Sequence, residues 1–202
     1  MPSSHKPYCE ASEQNQEPIL DVLREVFTES GVILEIGSGT GQHAVHFSRH
    51  LPHLIWQPSD LPEALPGIEA WLAEAALPNI RSPLVLDATQ QPWPLTGVEG
   101  VYSSNTAHIM GWPQVQAFFR GVGQALKEGG FFCLYGPFSY GGQHTSPSNV
   151  RFDAYLKATD PQRGVRDFDD LDELAVRHGL RLFRDYSMPV NNRTLVWRKT
   201  RV

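Results

Sequence analysis

The residues whose types and spacing promise chemistry begin with Glu35-Ile36-Gly37-Ser38-Gly39-Thr40-Gly41. A carboxylate is followed by glycines at every second position. Glycine lets the backbone turn tightly and approach a ligand that any Cβ would block. The loop follows a short apolar run, Val32 to Ile36, and precedes a helical pattern over about residues 41–51. In a doubly wound sheet that is where ligands lie, beyond the carboxyl ends of the strands. The spacing argues against two familiar occupants. A dinucleotide fingerprint, G-x-G-x-x-G/A, wants a small residue where Gln42 stands, and a phosphate-binding loop wants a Lys that does not follow Gly41.

Other polar side chains fall at matching points. Asp60, Asp87 and Asn105 close the second, third and fourth predicted strands. The Asn105 carboxamide can both donate and accept hydrogen bonds. His108 lies three residues on. Imidazole titrates near neutral pH, so His108 is the best general-base candidate, against the plainer reading of a histidine at a loop or helix start. His43, His46 and His50 share a helical face by spacing, with His53 beyond them. No acid or cysteine completes a ligand set there, so the pattern predicts a polar helix face and no metal site. His43 is close enough to the glycine loop to touch a cofactor.

The elements that must position these groups alternate apolar runs with amphipathic stretches. Helices are predicted at 18–29, 41–51, 62–76, 113–127 and 169–178, with Pro18 in the first turn of the first. Strands are predicted at 32–36, 54–57, 83–86, 100–104 and 131–135, all parallel. Two more, at 180–188 and 194–198, form an antiparallel hairpin through Pro189-Val190-Asn191-Asn192. The fold class is therefore α/β: a Rossmann-like, doubly wound sheet of seven strands in a single domain over residues 1–202. The stretch from Gly136 to Asn149 shows no periodicity. It predicts a lid or substrate-shaping insertion over 136–168, to which Tyr140, His144 and Asn149 belong.

Composition narrows the class. A chain of 202 residues buries a core without disulfides or structural metals. With 41% hydrophobic and 19% charged residues it is not intrinsically disordered. A net charge of −5, and no basic groove with interleaved aromatics, argue against nucleic acid as a partner. The longest apolar stretch, Phe131 to Tyr135, is far too short to span a membrane. The polar start, Met1 to Glu17, and the widely separated Cys9 and Cys133 fit a reduced, cytoplasmic location.

The acid-led glycine loop resembles the first motif of class I S-adenosylmethionine-dependent methyltransferases. Asp60, Asp87-Ala88 and Leu126-Lys127-Glu128-Gly129-Gly130 match further motifs of that superfamily in order. Over nearly its whole length the chain is also similar to the methyltransferase-like protein 26 family. The segments are Asn15-Gln16-Glu17-Pro18-Ile19-Leu20, Ser104-Asn105-Thr106-Ala107-His108-Ile109, Gly136-Pro137-Phe138, Ser146-Pro147-Ser148-Asn149 with Phe152-Asp153, Gly164-Val165-Arg166-Asp167 and Met188-Pro189-Val190-Asn191-Asn192. Thr106-Ala107 and Val190 depart from the family pattern, which bears on the acceptor pocket and not on the cofactor.

The resemblance implies S-adenosyl-L-methionine as cofactor, held by Asn15, Glu35, Gly37, Ser38, Gly39, Gly41, His43, Asp60, Leu61, Asp87, Ala88 and Asn105. Glu35 would hold backbone donors or the methionine amino group, or else be a satisfied buried carboxylate. Asp60 would bond the ribose hydroxyls, and Asp87 with Ala88 would meet the adenine edge. Asn105 and His108 are the catalytic candidates. Residues 1–17 would fold over the cofactor. The implied activity is methyl transfer to a small-molecule acceptor, with a protein side chain as the alternative acceptor. Two rival classes are a cofactor-binding module without turnover and a nicotinamide oxidoreductase. The mismatch at Gln42 weighs against the latter.

Overall fold

The computed structural model describes residues 6–200. In chain order the elements are α1 (Glu10–Val26), β1 (Gly31–Ile36), α2 (Gln42–His50), β2 (Leu54–Asp60), α3 (Leu65–Ala75), β3 (Leu84–Val85) and β4 (Val98–Ser104). They continue with α4 (Trp112–Ala125), β5 (Leu126–Gly136), β6 (Phe138–Tyr140), β7 (Gln143–His144), α5 (Pro147–Thr159), β8 (Arg166–Asp167), α6 (Phe168–Arg177), β9 (Leu180–Ser187) and β10 (Arg193–Lys199).

The main sheet has seven strands in the order β3-β2-β1-β4-β5-β10-β9. The first five are parallel, and β10 runs antiparallel to both β5 and β9. The order reverses between β1 and β4, which opens a crevice at their carboxyl ends. Alternation along the strands divides the core into two layers. Leu34, Val101, Phe132, Leu134 and Trp197 pack with α4 and α6. Ile33, Tyr102, Cys133, Tyr135 and Val196 pack with α1 and α2 on the other face.

Two expectations need correction. The first helix begins at Glu10, not at 18, and Pro18 lies in its interior. The early turns read as polar, and the side chain they bury is Asn15, which apolar periodicity cannot register. The stretch after β5 is not irregular: β6, β7 and β8 form a small sheet in the order β7-β6-β8. Ser146 caps α5 by accepting from the Asn149 N–H at 3.2 Å. Strands of two or three residues are too short to show a period, and α5 buries Asn149, Asp153 and Leu156, a mostly polar set.

The start of the described chain packs along α3 and onto the first turn of α2. Lys6 pairs with Glu74 at 2.7 Å, the Pro7 carbonyl accepts from Trp71 Nε1 at 2.6 Å, and the Cys9 N–H donates to Gln42 Oε1 at 2.6 Å. Residues 1–5 of the predicted covering segment lie outside the described residues. No helix among the described residues is long and apolar enough to cross a membrane.

Candidate active site

The glycine loop leaves β1 and is pinned to β2. The N–H groups of Gly37 and Ser38 both donate to the Ser59 carbonyl at 3.0 Å. At the rim, the half-buried Asp60 carboxylate accepts from the Gly39 N–H and from its own neighbour's N–H, that of Leu61, each at 2.7 Å. Gly39 and Gly41 have φ of +57° and +89°, a region that favours glycine. A Cβ at Gly41 would meet Ile68 Cα at 3.0 Å, whereas one at Gly39 would meet no protein atom within 4 Å. Gly41 therefore serves the packing of α2 on α3, and Gly39 borders the crevice.

Glu35 lies beneath the loop, 2% exposed. Its carboxylate accepts from Ser38 Oγ and from Trp56 Nε1, both at 2.9 Å. These are side-chain donors and not the backbone donors anticipated. Burial pushes its pKa up to about 7, against the pull of the two donors. Ser38 Oγ also accepts from the Ser59 N–H at 3.1 Å, so one buried cluster joins β1, the loop and β2.

Asp87 is occupied within its own turn, accepting from the Thr89 N–H, Thr89 Oγ1 and Gln90 Nε2. The Thr89 bonds hold its carboxyl below the usual range. Ala88 turns its methyl into the core beside Leu86 and Trp93, while Leu61 is 40% exposed.

His43 is turned toward α1. Its Nε2 lies 2.7 Å from Asn15 Oδ1 and 3.1 Å from the Ser12 carbonyl, and its Nδ1 is 3.2 Å from the Tyr102 hydroxyl. Two acceptors at Nε2 require the proton there, so Nδ1 accepts from Tyr102. Burial holds the His43 pKa down at about 4. The ring is thus engaged on both sides by protein. His46 pairs with Glu17 at 3.3 Å, and His53 meets the Phe27 carbonyl at 2.8 Å. Among the described residues no group of three or more His, Cys, Asp or Glu could hold a metal ion.

A cavity of about 380 Å³ opens beside this crevice, at the ends of β4 and β5. Gln14, Asn15 and Pro18 of α1 wall one side, and Asn149 and Phe152 of α5 another. Asn105, His108 and Tyr135 come from the strand ends, and Val190 and Asn192 from the β9–β10 connection. Asn105 sits in the left-handed region (φ +57°), which Asn tolerates, and its N–H donates to the Tyr135 carbonyl at 2.9 Å. Asn105 Oδ1 and His108 Nδ1 both lie 3.8 Å from the point where a Cβ would stand on Gly136. His108 packs edge-on against Phe152 at 5.1 Å. Burial, and then the nearby Arg166 guanidinium, depress its pKa to about 4, so the ring is neutral at physiological pH.

The structure therefore brings Asn15, Asn105, His108 and Asn149 together. Tyr140 lies elsewhere, donating to Asp185 Oδ2 at 2.7 Å and stacking on Phe168. Sequence reasoning missed Tyr135, Phe152 and Gln14 as cavity residues, whereas Val190, read as bearing on the acceptor pocket, does line the cavity. The alternation of Phe131 to Tyr135 carried the signal for Tyr135: a polar-tipped ring at the strand end, on the same face as Cys133.

Solved structures share this fold. SibL, an S-adenosylmethionine-dependent methyltransferase in its apo form, matches with a TM-score of 0.79 and 21% identity over 94% of this chain and 56% of that one. The mitomycin 7-O-methyltransferase MmcR matches with a TM-score of 0.82 and 15% identity over 94% and 54%. CalO1, a methyltransferase of calicheamicin biosynthesis in a form with S-adenosylhomocysteine (SAH) bound, matches with a TM-score of 0.71 and 14% identity over 85% and 49%. The chain spans about half the length of these structures. At such identities the likeness is one of fold, and the class it defines is the Rossmann-like α/β fold of the methyltransferases. Within that class the chain belongs to the family described as protein of unknown function DUF938, whose model matches residues 6–199.

Proposed function

We propose that this protein is an S-adenosyl-L-methionine-dependent methyltransferase acting on a small molecule. One observation carries the reading: a half-buried Asp60 carboxylate at the rim of an acid-led glycine loop, beside a cavity that begins at Asn105. The residues fit the cofactor. The space over Gly39 admits an approaching ligand, and each Asp60 oxygen, having accepted one backbone N–H, keeps a further lone pair for a ribose hydroxyl. When bound, S-adenosyl-L-methionine supplies a methyl group activated on a sulfonium.

The chain's own groups then align and shield. Asp60, Gly37, Ser38 and Gly39 would hold the nucleoside end. Asp87 and the Ala88 backbone would border the base. Asn105 would orient the methionine end or the acceptor. Glu35 acts from below, fixing the loop through Ser38 and touching no ligand. His43 acts through Asn15, which it holds against the cavity. Neutral His108 can accept a hydrogen bond from an acceptor O–H or N–H and receive the proton released. The segment over 136–168, through α5, closes the acceptor side. MmcR, named for a small-molecule acceptor, and the SAH bound by CalO1 support the reading. The likeness to the methyltransferase-like protein 26 family and a cytoplasmic location belong to the same proposal.

Calorimetric titration with S-adenosyl-L-methionine tests it. Wild-type protein binds, and Asp60→Ala binds at least tenfold more weakly, because the ribose loses a charge-assisted acceptor. Equal affinities would sink this placement of the cofactor. A radiolabelled methyl-transfer assay on cell extract separates an enzyme from a binding module: a labelled product that requires the protein supports turnover.

A further inference from the structure

Carboxamides, rings and prolines make up most of the cavity wall. Among the described residues lining it there is no Asp, Glu, Lys or Arg. Two charged groups next to the wall, Arg166 and Asp153, are committed elsewhere. The Arg166 guanidinium donates to the carbonyls of Ala107, Met110 and Gln162. The Asp153 carboxylate accepts from Lys157 Nζ at 2.6 Å and from the Val165 N–H at 2.8 Å. An ion entering this cavity would shed water and find no countercharge, a cost a neutral molecule does not meet.

One group in the wall has its direction preset. Asn192 Nδ2 donates to the Tyr135 hydroxyl at 2.9 Å. Asn15 lines the same wall with its Oδ1 taken by His43 Nε2, which leaves its amide nitrogen as a donor to the cavity. The Tyr135 oxygen accepts from Asn192, and among the described residues no bond uses its own proton, which is therefore free for a guest. Tyr135 stays a phenol because burial raises its pKa.

We infer that the cavity selects an uncharged molecule carrying a hydrogen-bond-accepting oxygen or nitrogen, and that Tyr135, held by Asn192, is the residue that reads it. That this molecule is the methyl acceptor rests on the function proposed above; the selectivity does not.

Benzamide, benzoate and benzamidine share one shape and carry charges of about 0, −1 and +1 at neutral pH, so they probe the cavity directly. Titrated by NMR into the full chain, benzamide binds at least tenfold tighter than either ion. Benzoate or benzamidine binding as tightly, or no benzamide binding at all, overturns the inference. Asn192→Asp would take the Tyr135 proton and add a negative charge, shifting preference toward benzamidine by tenfold or more; an unchanged order overturns the role of the Tyr135–Asn192 pair. If that variant does not fold, Tyr135→Phe reads the same point, with benzamide affinity falling about fivefold and benzoate affinity nearly unchanged. SAH titrated in parallel separates the two readings. Charge selectivity without SAH binding keeps this inference and removes the methyl-transfer reading; SAH binding without charge selectivity does the reverse.

Discussion

Glu35→Gln isolates the cost of keeping a carboxylate under the glycine loop. Burial holds the Glu35 pKa near 7 against an ordinary 4.5. A raised carboxylate pKa means that the folded protein prefers the protonated form, so the stability it contributes is whole below pH 4.5 and is lost as the pH climbs to 7. At 1.36 kcal/mol per pH unit the gap is worth about 3 kcal/mol. His43 and His108, held near 4 by burial, work in the opposite direction and lose stability as the pH falls from 6.5 toward 4. Both proteins carry those histidines, so subtracting the wild-type from the variant cancels them. The glutamine keeps an acceptor for Ser38 and Trp56. The difference in melting temperature, followed from pH 4 to pH 8, therefore swings in favour of Glu35→Gln by roughly 6–12 °C, at 2–4 °C per kcal/mol for a chain of this size. A difference that stays flat across that range would refute the argument that burial governs this carboxylate.

Two glycines of the loop should separate stability from binding. Gly41→Ala meets the α3 backbone and lowers the melting temperature, whereas Gly39→Ala costs only about 1–2 kcal/mol of left-handed strain but obstructs the crevice, so that cofactor affinity by calorimetry falls at least tenfold. The reverse ranking would misassign both. Val190 is a β-branched residue at φ +58° and is 79% exposed. Val190→Asn, which suits that conformation, should raise unfolding stability in urea by about 0.5–1 kcal/mol; a loss would mean that its contacts outweigh the strain.

The parallel course of the first five strands and the antiparallel pair after them were legible because apolar runs of four or five residues alternate with helical patterns and end on Asp60, Asp87 and Asn105. The tight turn of the loop was legible because glycine spacing carries a physical meaning by itself. What escaped was built from polar burial. Asn15 entered only through a resemblance, and its burial did not show, because its partner is His43, distant in sequence, and no periodicity announces a hydrogen bond. His43 read as a cofactor contact from its distance along the chain, yet its direction is set by Tyr102 and Asn15. The segment after Gly136 read as unstructured because its strands borrow their order from Asp167, which accepts from Ser139 Oγ and the Gly142 N–H, both at 2.8 Å.

The reversal of β10 has a topological consequence. A strand parallel to β5 would have to be reached by a crossover and would begin at the far edge of the sheet. Running the other way, β10 starts opposite Gly136, so the link from β9 arrives at the mouth of the cavity after only Met188 to Asn192. A handful of positions can thus be rewritten to reshape the cavity mouth, while the glycine loop and Asp60 on the opposite half of the sheet are left untouched.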